Sequence, residues 1–330
     1  MDFRELDFFD VNASFGPITG IMEYNDNIYF FQPEGVGIMQ ISPRIQIVGS
    51  DGVSIALGTG SLLQDAIYIS TSLGSSHQFS LVKSDYGIYF FDSITRKFCL
   101  VRGQVEPISD IKGMHEWFRE SALTGKDVYA GYSKIKNEVY LSLRTDFDQT
   151  GDTFDYTLLY SEYTQGFVSF LGGRPSMYIP WRDRLFTSFD GPNQLWEENT
   201  ADFGYPMGTF YGNNYSSSIT ITLNPSPLNT CIFDTIAYNS QVTISGIDQP
   251  LETLTNIKCF NQYQDSGLQV VDAKRKFREW RVNIPREQNT RNRMRSQHAY
   301  LKLQYNNANN KKLVLEDIIL NYRDAPASFV

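Results

Sequence analysis

A cluster of basic residues is the part of the sequence best suited to bind a partner. Residues 274–295 include nine lysines and arginines but two acidic residues, Glu279 and Glu287. The segment carries a net charge of +7 in a chain of net charge −8, so the rest of the chain carries −15. Phe277 and Trp280 alternate with arginines, and guanidinium groups beside aromatic rings can bind a phosphate backbone. The segment is therefore a candidate binding surface.

Two interpretations of this segment compete. In one, it binds DNA. In the other, a strand of alternating core and solvent residues is followed by an arginine-rich loop that meets an acidic surface of a neighbouring subunit. The acidic balance of the remaining chain argues against general affinity for nucleic acid and favours the second interpretation. It predicts a subunit interface formed by Arg286, Arg291, Arg293 and Arg295.

An acidic stretch has the opening spacing of a calcium-binding loop. Its members are Asp146, Asp148, Thr150, Gly151 and Asp152. The twelfth position holds Thr157, where such a loop requires a bidentate Glu, and no helices flank the stretch. The sequence favours a solvated acidic loop and leaves calcium binding open.

Other motifs for catalysis or cofactors are incomplete. Gly58-Thr59-Gly60 begins like a dinucleotide fingerprint, but Leu63 stands where the third Gly belongs, so we expect a tight turn. Asp85 and Gly87 resemble an Asp-box turn of sialidase-type propellers, with Lys83 in place of Ser or Thr. The histidines and serines form no metal-binding or nucleophile motif. We predict no catalytic, cofactor-binding or metal-binding residues, and a chain that is not an enzyme.

Cysteine use and hydropathy set further limits. The odd number of cysteines and their wide spacing predict buried free thiols at Cys99, Cys231 and Cys259. No apolar run approaches the ~20 residues of a membrane span, and the first residues lack the order of a secretory signal. The chain is therefore expected to be soluble and made in the cytoplasm.

A repeated pattern dominates residues 1–213. A polar turn precedes an aromatic strand four times, and the equivalent residues are Tyr29, Tyr89, Tyr140 and Phe186. Their spacings of 60, 51 and 46 residues are close to the length of a four-stranded propeller blade. One helix, near residues 110–122 with Asp110 as its N-cap, is predicted as an insertion packed through Met114, Trp117 and Phe118.

The C-terminal part, residues 214–330, changes character. About seven alternating strands lack the earlier repeat, which predicts a β-sandwich-like domain. They are Ile219 to Leu223, Cys231 to Tyr238, Gln241 to Ile244, Asn256 to Tyr263, Phe277 to Ile284, Ala299 to Tyr305 and Leu313 to Tyr322. The predicted fold is all-β: a partial or complete β-propeller, 1–213, followed by a β-sandwich-like domain, 214–330.

A family resemblance rests on these same segments. They are Lys83 to Val101, Lys112 to Met114, Glu116 to Arg119, Tyr132 to Leu143 and Leu158 to Phe170. They resemble the tail stabilization or muzzle proteins of crAss-like bacteriophages, which are akin to the β-propeller nozzle and tail-hub proteins of short-tailed phages. The resemblance covers roughly residues 15–200, and more loosely the arginine-rich strand and Asp317 to Asp324.

The resemblance implies a virion structural protein. Such a protein is a subunit of a ring at the tail tip, stabilises the tail and gates the DNA exit channel. Its implied partners are further copies of itself, other tail proteins and, transiently, genomic DNA, with assembly in the host cytoplasm. Family members are longer, and four repeats are few for a closed propeller, so either Met1 lies inside a larger polypeptide or another chain completes the propeller. The alternatives are a carbohydrate-active or glycan-binding β-propeller, which would need paired carboxylates in a central channel, and a peptide-binding cellular scaffold.

Overall fold

The computed structural model divides the chain into two compact units, Met1–Thr200 (unit 1) and Ala201–Val330 (unit 2). It describes residues 8–41, 45–48, 54–57, 63–121, 127–143, 156–171, 175–188, 194–198, 207–307 and 311–325. Both units are all-β in their described parts. The predicted domain limit after residue 213 falls within a short hairpin of unit 2, and the predicted domains stay a prediction.

Unit 1 consists of antiparallel sheets that follow one another along the chain. Sheet 1 and its inserted hairpin contain β1 (Gly20–Tyr24), β2 (Asn27–Gln32), β3 (Gly35–Ile41), β4 (Ile45–Val48), β5 (Ser54–Leu57) and β6 (Leu63–Ser70). Sheet 2 contains β7 (Val82–Lys83), β8 (Ile88–Asp92), β9 (Lys97–Val101) and β10 (Val105–Glu106). β4 pairs with β5, and β6 returns to pair with β3. Each sheet is therefore a meander of neighbouring strands.

Two short helices separate sheets 2 and 3. They are α1 (Ile108–Ile111) and α2 (His115–Ser121). Sheet 3 contains β11 (Val128–Ser133), β12 (Glu138–Leu143), β13 (Tyr156–Ser161) and β14 (Gly166–Leu171). Sheet 4 contains β15 (Met177–Trp181), β16 (Arg184–Ser188) and β17 (Leu195–Glu197). Neither helix is long or apolar enough to cross a membrane, and no other α-helix lies in the described residues.

The predicted repeat is confirmed at the level of strands. Its four marker residues lie on the second strand of sheets 1, 2, 3 and 4: Tyr29 on β2, Tyr89 on β8, Tyr140 on β12 and Phe186 on β16. A polar turn precedes each of these strands because the first two strands of each sheet form a hairpin. Whether the sheets belong to a partial or complete propeller stays a prediction.

Consecutive sheets pack face to face, and the second strands lie at the centre of each contact. Tyr29 and Phe31 pack with Ile88 and Phe90 between sheets 1 and 2. On the opposite face of β8, Tyr89 packs with residues of sheet 3. All five residues of β8 are buried. A sheet covered on both faces needs apolar residues at successive positions, which explains the continuous aromatic runs of the sequence.

The predicted single helix is present as two short helices, and its predicted N-cap is wrong. Phe118 is fully buried with residues of sheets 2 and 3, and Met114 and Trp117 pack against the same cluster. The helical segment begins at Ile108, after Pro107, so Asp110 lies inside α1. There its carboxylate forms an ion pair with Lys97, at 2.8 Å. Its real role is to join the helix to β9, which the sequence could not show.

Unit 2 forms two main sheets that share one hydrophobic core. Its strands are β18 (Thr209–Phe210), β19 (Asn213–Asn214), β20 (Ser217–Leu223), β21 (Cys231–Ile244), β22 (Ile247–Asp248), β23 (Asn256–Phe260), β24 (Gln269–Val270), β25 (Lys274–Lys276), β26 (Glu279–Asn283), β27 (Arg295–Ser296), β28 (Ala299–Tyr305) and β29 (Lys311–Asp324). One sheet has the order β20-β28-β23-β24. In the other, β21 pairs with β22, β26, β27 and β29, and β26 also pairs with β25. Leu301 and Ile236 represent the two sheets in the core.

Several of the predicted strand limits in unit 2 are wrong, including the end of the strand predicted at Asn256 to Tyr263, which ends at Phe260. The predicted strands at 231–238 and 241–244 are one strand, β21, because Asn239 and Ser240 both pair with β29 and the extra residue at this register shift is Glu316 of β29. The predicted strand beginning at Phe277 begins at Glu279 instead. Phe277 and Arg278 form the turn between β25 and β26.

The three cysteines are buried and free, as predicted. Burial raises the pKa of the Cys259 thiol to about 12 and also raises the pKa of the Cys99 thiol. Both thiols are therefore neutral at physiological pH and unreactive while the fold is intact.

Candidate functional site

The first strands of the four sheets of unit 1 line a common cavity of about 530 Å³. Met22, Val82, Ala130 and Tyr178 represent β1, β7, β11 and β15 in its lining. Sheets 3 and 4 come close together here because β11 has a glycine, Gly131. A Cβ atom at this position would lie 2.4 Å from Cδ1 of Tyr178, far inside van der Waals contact.

The described lining of this cavity includes four aromatic side chains. The rings of Phe79 and Tyr129 stack with their centroids 5.8 Å apart. Lys83, Lys134 and Arg182 contribute cations, and Asp85 is the one acidic side chain among the described lining residues. Glycoside hydrolysis uses a pair of carboxyl groups on either side of the scissile bond. The described lining supplies one member of such a pair.

A carboxylate joins sheets 2 and 3 beside this cavity. Glu162, in the turn between β13 and β14, accepts hydrogen bonds from the hydroxyls of Ser84, Tyr89 and Tyr132 at 2.5, 2.9 and 2.9 Å. Burial and the nearby carboxylate raise the pKa of both tyrosines. The phenols therefore keep their protons and donate to Glu162. These four residues, which we call the Glu162 clasp, fasten two sheets together.

The predicted Asp-box position is an ordinary turn. Ser84 Oγ accepts hydrogen bonds from the backbone amides of Tyr86 and Gly87 at 2.9 and 3.2 Å, which closes the turn between β7 and β8. Among the described residues, no three His, Cys, Asp or Glu side chains are grouped closely enough to hold a metal ion. Residues 146–152, the calcium-loop candidate, and most of the 58–63 motif lie outside the described part of the chain.

In unit 2, the arginine-rich segment lies around two concavities. Arg286, Arg291 and Arg293 line a cavity of about 520 Å³ together with Asp234 and Asp272. Arg293 also lines a second concavity, of about 450 Å³, with Arg295. The fold thus brings three of the four predicted interface arginines around one cavity and places the fourth beside it.

A buried carboxylate shapes the loop that carries these arginines. Glu287 accepts hydrogen bonds from the backbone amides of Asn289 and Thr290 and from the Thr290 hydroxyl. The bonds from Thr290 are the main reason that the pKa of Glu287 is lowered. Its own amide donates to the carbonyl of Asn292 at 3.0 Å. The acid nearest to the arginines in sequence is therefore used to fold the loop.

The main acidic partner of the segment comes from elsewhere in the sequence. Asp234, the bulged residue of β21, forms an ion pair with Arg293 and another with Arg323, the latter at 3.1 Å. Arg286 donates to the carbonyl of Arg291 at 3.4 Å, and the Arg295 amide donates to Gln264 at 2.8 Å. Some of the repulsion among the cations is thus compensated within unit 2. Whether the arginines form a subunit interface stays a prediction.

The described part of the chain is all-β, with sheets that pack face to face in unit 1 and two sheets around one core in unit 2. A model of the crassvirus muzzle protein family matches residues 1–191, and a model of the crassvirus muzzle protein C-terminal domain matches residues 206–287. The chain belongs to the crassvirus muzzle protein family. The resemblance found in the sequence is therefore confirmed.

A curated relative gives the scale of the match. The muzzle protein of Bacteroides phage crAss001 is 29% identical to this chain over an alignment of 330 positions, and the alignment covers 95% of this chain. The chain spans 23% of the length of that relative.

Proposed function

We propose that the chain is a structural component of a bacteriophage virion, a subunit of a ring at the tip of the tail. In this role it stabilises the tail and gates the channel through which DNA leaves. Its partners are other copies of itself, other tail proteins and, transiently, the genomic DNA, and it is assembled in the host cytoplasm. The observation that carries the proposal is the match of both units to muzzle family models.

The architecture of unit 1 supports a load-bearing role. Sheets 1 to 4 pack through aromatic layers, and the Glu162 clasp adds hydrogen bonds between sheets 2 and 3. Close packing of this kind makes an interior stiff. A stiff body made of short strands also offers few long strand edges for unwanted pairing. Both properties suit a component of a particle that holds DNA.

The arginine-rich loop supports assembly through charge. Arg286 and Arg291 line a cavity without an ion pair to any described acidic residue, whereas Arg293 is already paired with Asp234. Carboxylates of a neighbouring subunit would complete the neutralisation with specific hydrogen bonds. We therefore place the loop, with Arg286, Arg291, Arg293 and Arg295, at a contact between subunits.

Composition of the particle tests the proposal. In purified virions, peptides of this chain should occur at a fixed ratio to the other tail proteins, and electron microscopy should show them in a ring at the tail tip. Particles assembled without the chain should release DNA that nuclease digests. Absence of the chain from intact particles would refute the virion role, and a variable copy number would refute the ring.

Substitution of the arginines tests the interface. The variant with Arg286, Arg291, Arg293 and Arg295 replaced by Ala should fold but fail to form the ring. Since Arg293→Ala also breaks the pair with Asp234, a second variant should keep Arg293 and replace the other three. A matched control replaces three arginines of unit 1, Arg102, Arg119 and Arg184, and should assemble normally. A ring in which all four arginines face solvent or DNA would contradict the proposal.

A further inference from the structure

The turn between β25 and β26 is unusual among the hairpins of this chain. Among the described hairpins that turn through two residues, four have both turn residues at positive φ. They are Asn25-Asp26, Tyr211-Gly212, Ser245-Gly246 and Phe277-Arg278. This geometry suits Gly, Asn and Asp and disfavours larger side chains. Phe277-Arg278 is the only one of the four without such a residue.

The side chains at this turn lie on the surface and outside the core of unit 2. Phe277 is 92% exposed, so its ring has no place in the core of unit 2. Trp280, three residues later, is buried in that core and holds the hairpin in register. A turn that only reversed the chain would be more stable with Asn-Gly. A strained turn with an exposed Phe therefore indicates a function for the side chains themselves.

Most of the cations of the hairpin have no ion pair in the described part of the chain. Residues 274–281 include five cations and the single acid Glu279, which pairs with Arg281 at 2.8 Å. Lys274, Lys276 and Arg278 form no ion pair with any acidic residue in the part of the chain that the structure describes. In the arginine-rich loop that follows, Asp234 pairs with Arg293, and Glu287 binds backbone amides of the loop. The hairpin carries a net charge of +4 and residues 282–295 carry +3, so the hairpin is the more basic half of the segment.

Charge and shape together select the kind of partner. An exposed aromatic ring gains most when it enters an apolar socket, and nearby cations then favour carboxylates at the rim of that socket. Outside residues 274–281 the chain carries a net charge of −12. This charge repels a DNA duplex but makes every other copy of the chain an acidic surface. A protein surface on a second copy fits both features of the hairpin.

We propose that the hairpin of residues 274–281 is a docking element that inserts Phe277 into an apolar, acid-rimmed socket on a second copy of this chain. The inference rests on the proposed assembly of copies and names the part of unit 2 that starts it. Lys274, Lys276 and Arg278 guide the approach, and the Phe277 ring anchors the contact.

Self-association of the purified full chain tests this inference. The variant F277N/R278G installs the turn residues that the backbone prefers. It should raise the melting temperature of the isolated chain by about 3 °C and weaken self-association at least tenfold in analytical ultracentrifugation. A structural role alone would not combine a gain in stability with a loss of association.

A matched control uses another turn of unit 2 with both residues at positive φ. Ser245→Asn improves the turn at Ser245-Gly246 without removing a cation or an aromatic ring, and should leave self-association unchanged. A photo-crosslinking phenylalanine analogue at position 277 should link to a second copy, and mass spectrometry of the product should identify apolar and acidic residues at the socket.

Four outcomes would overturn the inference. A wild-type chain that remains monomeric at high protein concentration has no such socket, and an unweakened F277N/R278G variant does not dock through the tip. Binding of a random-sequence DNA duplex at physiological salt that is lost in F277N/R278G would assign the hairpin to nucleic acid instead. If only the arginine-loop variants lose assembly, the proposed function stands and the hairpin inference fails.

Discussion

Units 1 and 2 bury their apolar residues in different ways. Unit 1 spreads its core over three layers between sheets, and a strand such as β8 is buried on both faces. Unit 2 has one core between two sheets, and β28 alternates buried residues with partly or fully exposed ones. The difference indicates where each unit can bind a partner. In unit 1 both faces of the central strands are buried between sheets, whereas in unit 2 the outer faces of the sheets and the turns are exposed and available for contacts.

The largest expected effect is the loss of an aromatic ring between sheets 1 and 2. Phe90 is fully buried and packs on Phe31 with ring centroids 5.4 Å apart. Phe90→Ala should lower the free energy of unfolding of unit 1 by about 3–5 kcal/mol, since the cavity cannot collapse between two packed sheets. Pulsed thiol alkylation in denaturant measures this, because Cys99 reports on unit 1 and Cys259 on unit 2.

The same measurement tests the independence of the units. In the Phe90→Ala variant, Cys99 should be labelled at a lower denaturant concentration while Cys259 keeps its midpoint. Ile94→Ala, at an exposed turn position, serves as the control and should change stability by less than about 0.5 kcal/mol. Equal shifts of both thiols would show that the units unfold as one and would break the comparison.

A smaller effect is expected from the Glu162 clasp. Glu162→Ala leaves the Tyr89 hydroxyl without its acceptor and the Tyr132 hydroxyl with Asn137 at 3.1 Å, and should destabilise unit 1 by about 2–3 kcal/mol. Glu162→Gln keeps one oxygen acceptor and should lose about half as much. The Cys99 labelling midpoint measures both. Equal and negligible losses would mean that aromatic packing alone joins sheets 2 and 3.

Alkaline pH should weaken the same contact. The folded-state pKa of Tyr89 and of Tyr132 lies above the unfolded value near 10, so their contribution to stability is complete below pH ~10. Above that pH the unfolded tyrosines lose protons first, and each can remove up to about 1.4 kcal/mol per pH unit. Thermal unfolding at increasing pH measures the slope. Tyr89→Phe should reduce the slope, and an unchanged slope would exclude Tyr89 as its source.

The smallest effect concerns the arginine-rich loop of unit 2. Asp234→Ala removes the partner of Arg293 and Arg323 and should cost about 1 kcal/mol or less, because both pairs are near the surface. Asp272→Ala, in the lining of the same cavity, is the matched control and should have no measurable effect. The Cys259 labelling midpoint compares them. A large loss for Asp234→Ala would mean that the loop is part of the core of unit 2.

Local patterns in the sequence predicted the strands and the helical segment whose formation depends on residues close together in the chain. A polar turn followed by an aromatic strand located β2, β8, β12 and β16 correctly, because hairpin chemistry and two-sided burial both leave marks within ten residues. The buried cysteines and the helical stripe around Phe118 were predictable for the same reason. These signals do not depend on which sheet packs against which.

The features that the sequence missed depend on distant partners. Asn239 and Ser240 looked like a turn, but β21 continues because the Asn239 amide donates to Asp317, 78 residues away, at 3.0 Å. Asp234 and Glu162 carried no local signal, since their partners lie on other strands. The turn at Phe277-Arg278 was missed because its residue types are opposite to those that mark a turn.

The insertions between strands affect how such repeats can be found in the sequences of longer relatives. The β4–β5 hairpin lengthens the first repeat and α1 and α2 lengthen the second, yet neither alters the order of strands within a sheet. The β4–β5 hairpin lies between β3 and β6 of sheet 1, and the helices lie between sheets 2 and 3, so both insertions leave the pairing of strands intact. A search by fixed period would lose such repeats, whereas a search for a polar turn followed by an aromatic strand buried on both faces would tolerate insertions of any length.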